Sequence, residues 1–132
     1  MPEHFQPADV DRLIPRLSQV MERAMKAHAA AAAITERLEQ ERQRIRLAGG
    51  GTIDRNAWQV DTQRLDDLTD LVRRALTEIG DMGGVTKDIG LGLVDFLHVR
   101  DGREVNLCWR FGEEAVRHWH GLDEGYARRR PL

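Results

Sequence analysis

The chain has 132 residues, with 20 Lys or Arg against 22 Asp or Glu and a formal net charge of -2, a balance that argues against a dedicated nucleic-acid binder. Its one cysteine, Cys108, excludes an intramolecular disulfide and a cysteine zinc cage. The length fits a single domain over 1–132, able to bury roughly two-thirds of its unfolded surface without a staple. Aromatics are only 5%, so the core falls to Leu, Val, Ile and Ala. No basic segment followed by an apolar run opens the sequence, and no stretch nears the ~20 apolar residues of a membrane helix. The expectation is a cytoplasmic protein with no membrane contact.

Residues 7 to 47 read as one amphipathic helical stretch. Leu13, Leu17, Val20, Ala24, Ala27, Ala31, Ile34, Leu38 and Ile45 follow an alternating spacing of four and three, with Glu41 filling the gap before the last. That is a heptad seam, narrow in the middle where the alanines lie. Pro7 suits a first helical turn. Pro15 removes a hydrogen bond and clashes one turn back. It predicts a kink near Leu13-Ile14, or a short helix before a long one.

Ala48-Gly49-Gly50-Gly51-Thr52 breaks the pattern. Asp54 or Asn56 can cap a second helix. Its stripe is Trp58, Leu65, Leu68, Val72, Leu76 and Ile79, with Ala75 beside it, and Gly80, Gly83 and Gly84 stop it. Residues 7–80 therefore form an antiparallel helical hairpin.

From Gly84 the pattern changes. Val85 to Ile89 suits a short strand or an extended loop. Val94–Val99 and Glu104–Trp109 flank Arg100-Asp101-Gly102-Arg103, and Asp-Gly between such runs signals a type I′ hairpin. With Asp101-Gly102 as the loop, Val99 faces Glu104, Leu97 faces Asn106, and Asp95 faces Cys108. Val94, Phe96, Val105, Leu107 and Trp109 then share the core face. Asp95 and Glu104 lie on the other face, on the order of 13 Å apart at ~3.3 Å per residue, too far to share a small ligand. Gly112 to His120 suits one or two turns of helix, and Asp123 to Leu132 an ordered tail.

These residues carry a resemblance. Gly90-Leu-Gly-Leu-Val-Asp-Phe96, Arg100-Asp-Gly-Arg-Glu-Val105, Leu107-Cys-Trp109, Gly112-Glu113, Trp119-His120, Asp123, Gly125-Tyr126 and Arg129 to Leu132 are similar to an uncharacterised bacterial family. Phe5 with Leu13-Ile14-Pro15 resembles its opening motif. Members are short proteins of unknown function, sometimes labelled division initiation protein. The resemblance brings no activity, substrate or cofactor. It implies recurring polar positions at Lys87, Asp88, Asp95, Glu104, Glu113, His120, Asp123 and Arg129.

Several constellations carry chemistry. Glu113, His120 and Asp123 are the candidate metal ligands, with His118 and Glu114 nearby, because imidazole and carboxylate suit zinc, iron or manganese. On a helix His118 and His120 point apart, and on a strand they share a face. The competing reading is that His120 hydrogen-bonds Asp123 or a backbone carbonyl and pins the tail. Lys87, Asp88, Asp95, Glu104, Trp109 and Arg129 are the candidate ligand-binding residues. Lys87-Asp88 beside Asp95 is an acid–base pair or, preferred, a salt bridge closing the Gly90–Gly92 loop. Cys108, opposite a carboxylate that raises its pKa, reads as a structural cysteine rather than a nucleophile. Gly90-Leu91-Gly92 and Gly49-Gly50-Gly51 lack a phosphate-loop context. Arg128-Arg129-Arg130 suits a solvated tail, with Arg129 able to lock onto Glu113 or Asp123.

The fold expected is α+β: a long antiparallel helical hairpin with a small C-terminal antiparallel β-sheet, comprising a β-hairpin, a short helix and an ordered tail over 84–132. A sheet of that size leaves apolar helix uncovered, which predicts a homodimer through the long helices in a coiled-coil-like packing. The preferred function is a non-catalytic dimeric binding or interaction protein with a polar site in its C-terminal third. The alternative is a small metal-dependent or acid–base enzyme using His120, Asp123, Glu113 and Asp95. The cofactor is unspecified, a divalent metal being the candidate.

Overall fold

A computed structural model describes residues 3–51 and 54–132. Thr52, the last residue of the glycine breaker, lies outside the described residues. Helix α1 runs from Pro7 to Leu47 and α2 from Arg55 to Asp81. At 1.5 Å per residue they span about 60 and 40 Å. The Gln6 backbone N–H donates to Asp9 Oδ2 at 2.8 Å, satisfying a donor at the start of α1. Asp54 caps α2 by accepting from the Ala57 N–H at 3.1 Å. Gly49 and Gly50 hold φ of 72° and 108°, which L side chains avoid.

The seam residues of α1 turn toward α2 and the sheet. Leu17, Val20, Ala24, Ala27 and Ile34 are buried, and Leu38 is half-buried. Arg37 and Asp61 tie the two helices with contacts of 3.0 and 2.6 Å, and Arg16 pairs with Glu78 nearer the sheet. Helix α1 is not divided at Pro15. Ile14 and Leu17 on either side of it are buried in the main core, which holds the helix through the missing hydrogen bond.

Five strands follow: β1 Gly84–Asp88, β2 Leu93–Arg100, β3 Arg103–Arg110, β4 His118–Gly121 and β5 Arg130–Pro131. They pair in sequence order, each antiparallel to the next. The β2–β3 hairpin has the expected register, Asp95 against Cys108 and Val99 against Glu104, and Asp101 and Gly102 both have positive φ. Val94, Phe96, Leu107 and Trp109 meet Val10, Leu17, Val20, Met21 and Ala24 in one core. Phe5 joins this core, edge-on to Phe96 with ring centroids 5.2 Å apart. Among the described residues no helix is long and apolar enough to cross a membrane.

The segment read as helix over Gly112–His120 is instead a turn leading into β4. The backbone groups a helix would use are taken by tertiary partners. The Val116 N–H donates to Asp11 on α1 at 2.8 Å, and the Glu113 carbonyl accepts from the Trp109 indole at 3.0 Å. The edge of β3 then recruits 118–121 as a strand. The tail also differs from a plain ordered tail. It makes a 3-10 turn over Tyr126–Arg128 and ends on β4 as β5.

Gly92 shows how tightly the sheet and helices fit. Its φ is +69°, and a Cβ there would lie 2.5 Å from Phe111 Cβ. Both strain and overlap then oppose a side chain. Gly92→Ala is expected to cost about 2–3 kcal/mol in urea unfolding, and an unchanged midpoint would refute this account of the β2 entry.

Candidate functional site

One face of the sheet is spent on the helices. The other presents Asp95 from β2, Cys108 from β3, and His118 and His120 from β4, all brought together by register. As on any strand, the two histidines share a face. The tail crosses this face and closes it from solvent. Asp95 and His120 are each only 2% exposed and Cys108 1%.

Within this group His120 Nε2 lies 3.0 Å from Asp95 Oδ1, and His120 Nδ1 lies 2.8 Å from the Gly121 carbonyl oxygen. A carbonyl only accepts, so Nδ1 carries a proton and donates it. The contact from Nε2 to a carboxylate oxygen requires one further proton, shared by the pair. The pair as a whole is then neutral, which is the form that burial tolerates. Burial pushes the Asp95 carboxyl above the usual carboxylate range, while His120, Lys87 and the Cys108 thiol pull the other way. The second carboxylate oxygen, Asp95 Oδ2, is buried and has no hydrogen-bond partner among the described residues.

Burial, and then the negative charge of Asp95, push the Cys108 thiol up to about 11. Arg129 opposes this weakly, with its guanidinium 3.9 Å from the sulfur. Carboxylate oxygen, Sγ and imidazole nitrogen of Asp95, Cys108 and His120 lie within 4.8 Å of one another, and among the described residues they form the one such cluster of metal-competent donors. They face a cavity of about 120 Å³ whose wall also includes Lys87, Leu93, Glu124 and Tyr126.

The other candidates from the sequence fall elsewhere. Glu113 is locked by Arg129 through contacts of 3.2 and 2.9 Å, and Arg129 stacks on the Tyr126 ring at 4.6 Å. Asp123 lines a separate surface groove with Arg100 and Leu122. Glu113, His120 and Asp123 are therefore not brought together as one ligand set, and Asp95 and Cys108 stand where Glu113 and Asp123 were expected. Asp88 accepts from the Leu91 N–H at 2.9 Å and shapes the loop before β2, in place of the expected salt bridge. Glu104 meets His4 at 2.9 Å on the far end of the hairpin. Trp109 is fully buried in the core.

The tail is pinned by polar contacts, through Glu124 rather than Asp123. Glu124 accepts from the Gly121 N–H at 2.8 Å and from Arg130 at 2.9 and 3.0 Å. Arg110 donates to the Tyr126 hydroxyl at 2.8 Å, and the Leu132 N–H to the Arg117 carbonyl at 2.9 Å. Glu124 has no counterpart among the residues singled out from the sequence, and Tyr126 figures there only in the Gly125-Tyr126 motif. The hairpin register places Cys108 beside Asp95, a neighbour that suppresses a nucleophile.

The whole arrangement defines a small α+β protein whose sheet buries a carboxylate, a thiol and an imidazole under a polar-clamped tail. The chain belongs to the family described as "Uncharacterized conserved protein (DUF2203)", whose model matches residues 3–132. No curated protein and no solved structure matches it at a significant level.

The thiol sets a pH dependence. A folded-state pKa of about 11 lies above the ordinary value of 9.0, so the unfolded thiol ionises first. Stability contributed by the protonated thiol is full below pH 9 and falls as pH rises toward 11. In metal-free protein at pH 8, native Cys108 should react with iodoacetamide at least about a hundredfold more slowly than in urea. Equal rates in the two states would show that the thiol is neither buried nor raised.

Proposed function

We propose that this protein binds one thiophilic divalent metal ion, of the zinc class, through Asp95, Cys108 and His120. The observation that carries the proposal is the buried, unpartnered Asp95 Oδ2 beside a sulfur and an imidazole whose Nδ1 proton is fixed on the Gly121 carbonyl. Fixing that proton leaves Nε2 as the ligating atom, the usual way a metal-binding histidine is oriented. Zinc with Zn–S about 2.3 Å and Zn–N about 2.0 Å needs its donors roughly 3–4 Å apart, so small side-chain adjustments suffice. The charge also balances. A divalent cation displaces the shared proton and the thiol proton, and a neutral buried group stays neutral. Thiolate and imidazole together select zinc or cobalt over magnesium or calcium.

The test is metal analysis of protein purified without an affinity tag, followed by zinc titration of the stripped protein. About one equivalent is expected, with a rise in Tm on reloading. Cys108→Ser and Asp95→Asn should lose the metal while keeping the far-UV circular dichroism of the wild type. Absence of bound metal together with no zinc-dependent rise in Tm would end the proposal.

A homodimer through the hairpin is supported by a different observation. Among the described residues, each helix beyond the sheet packs on the other, and the buried cluster there is Ala27, Ile34 and Leu68, with Leu38, Leu65 and Val72 partly buried against it. A groove of about 600 Å³ runs beside it, with Ala27, Ala30, Leu68, Leu71 and Ala75 in its lining between the charged side chains of Arg23, Lys26, Arg64, Arg74 and Glu78, and Leu71 is 49% exposed. A second copy laid along this groove completes a four-helix packing, which is the usual way such a stripe is covered. Sedimentation should give a dimer at high concentration and a monomer for Leu71→Glu. A wild type that stays monomeric refutes the assembly and leaves the metal reading untouched.

A further inference from the structure

We infer that the metal centre keeps one coordination position for a small monoanionic oxyanion, of carboxylate or bicarbonate size, held between the metal and the Lys87 ammonium. This rests on the metal reading above. Three protein donors leave a four-coordinate ion one position short, and three-ligand sites fill it with water or an exchangeable ligand. That position faces the cavity, because Asp95, Cys108 and His120 all line it.

The charge inventory selects the ligand's sign. A divalent ion with one thiolate, one carboxylate and a neutral imidazole sums to zero. Glu124 is the other acidic group in the cavity wall, and its carboxylate is already matched by Arg130 at 2.9 and 3.0 Å. Among the described residues Lys87, on β1 at the cavity rim, then leaves one positive charge unmatched. One anionic charge completes the site.

The volume selects the ligand's size. A cavity of about 120 Å³ holds a few heavy atoms and no nucleotide or sugar phosphate. Leu93 and Gly125 bring no polar side chain to the wall, Glu124 is matched by Arg130 and the Tyr126 hydroxyl is engaged by Arg110 at 2.8 Å, so the anion's charged contacts are the metal and Lys87.

Cobalt-loaded protein separates the two layers of the argument. The thiolate-to-cobalt charge-transfer band reports the metal and its Cys108 ligand, and the visible d–d bands report the open position. Acetate is expected to shift the d–d bands saturably while the charge-transfer band persists, and benzoate, too large for the cavity, is expected to leave both unchanged. Lys87→Met should keep the charge-transfer band and raise the acetate dissociation constant about tenfold, the loss of one charge pair at the rim. A charge-transfer band with d–d bands indifferent to acetate overturns the anion site and spares the metal reading. No charge-transfer band at all overturns both. Equal acetate affinity in Lys87→Met and the wild type removes Lys87 from the site, and binding of benzoate overturns the size argument.

Discussion

The structure depends on one contact between layers, the seating of Trp109 with Val94, Phe96 and Leu107 on the face of α1 that carries Val10, Leu17, Val20 and Met21. A helical hairpin and a small meander are each marginal alone. Joined at this face, each covers the other's apolar stripe. Because strand residues alternate, committing Trp109 to the helices commits its neighbour Cys108 to the opposite side, and the same step commits Asp95. The polar group is thus a geometric by-product of core packing. No separate device is needed to aim it.

Keeping that group buried costs free energy, since desolvating a carboxyl is unfavourable unless it is neutralised or paired. The chain meets this cost on its second face with the tail. Glu124 to Arg130, Glu113 to Arg129 and the Arg110–Tyr126 contact are partly solvated, so each contributes modestly. Together they hold a segment that has little apolar surface of its own. The roles divide cleanly along the sequence: apolar packing fixes the sheet against the helices, and ion pairs fix the tail against the sheet.

The helical hairpin and the β2–β3 register were legible because each rests on a local signal. A four-and-three spacing from Leu13 to Leu38 is enough for α1, and Asp101-Gly102 with positive φ at both residues sets every pairing from Arg100 back to Asp95. Gly112–His120 was not legible for the opposite reason. Its conformation is decided by Asp11, about a hundred residues earlier, and by the unfilled edge of β3. The metal-competent cluster fell between these cases. Two of its members, Asp95 and Cys108, followed from the hairpin, while the third came with β4, which had been read as helix. Reading 118–120 as strand would have put His120 on the same face as Asp95. Glu124 carried no signal, because an acidic residue in a charged tail looks like any other until its basic partner is placed.

The sheet is a pure meander, each strand added beside the one before it. In such an arrangement the last additions are also the first that can leave. β4 and β5 are short and β5 is exposed, whereas β2 and β3 are long and anchored in the core. Fraying from the β5 side therefore uncovers His120 and Cys108 before it disturbs Trp109, as expected when stability is unevenly distributed through a fold. The hydrogen-exchange order along the sheet becomes a clock for exposure of the donor group.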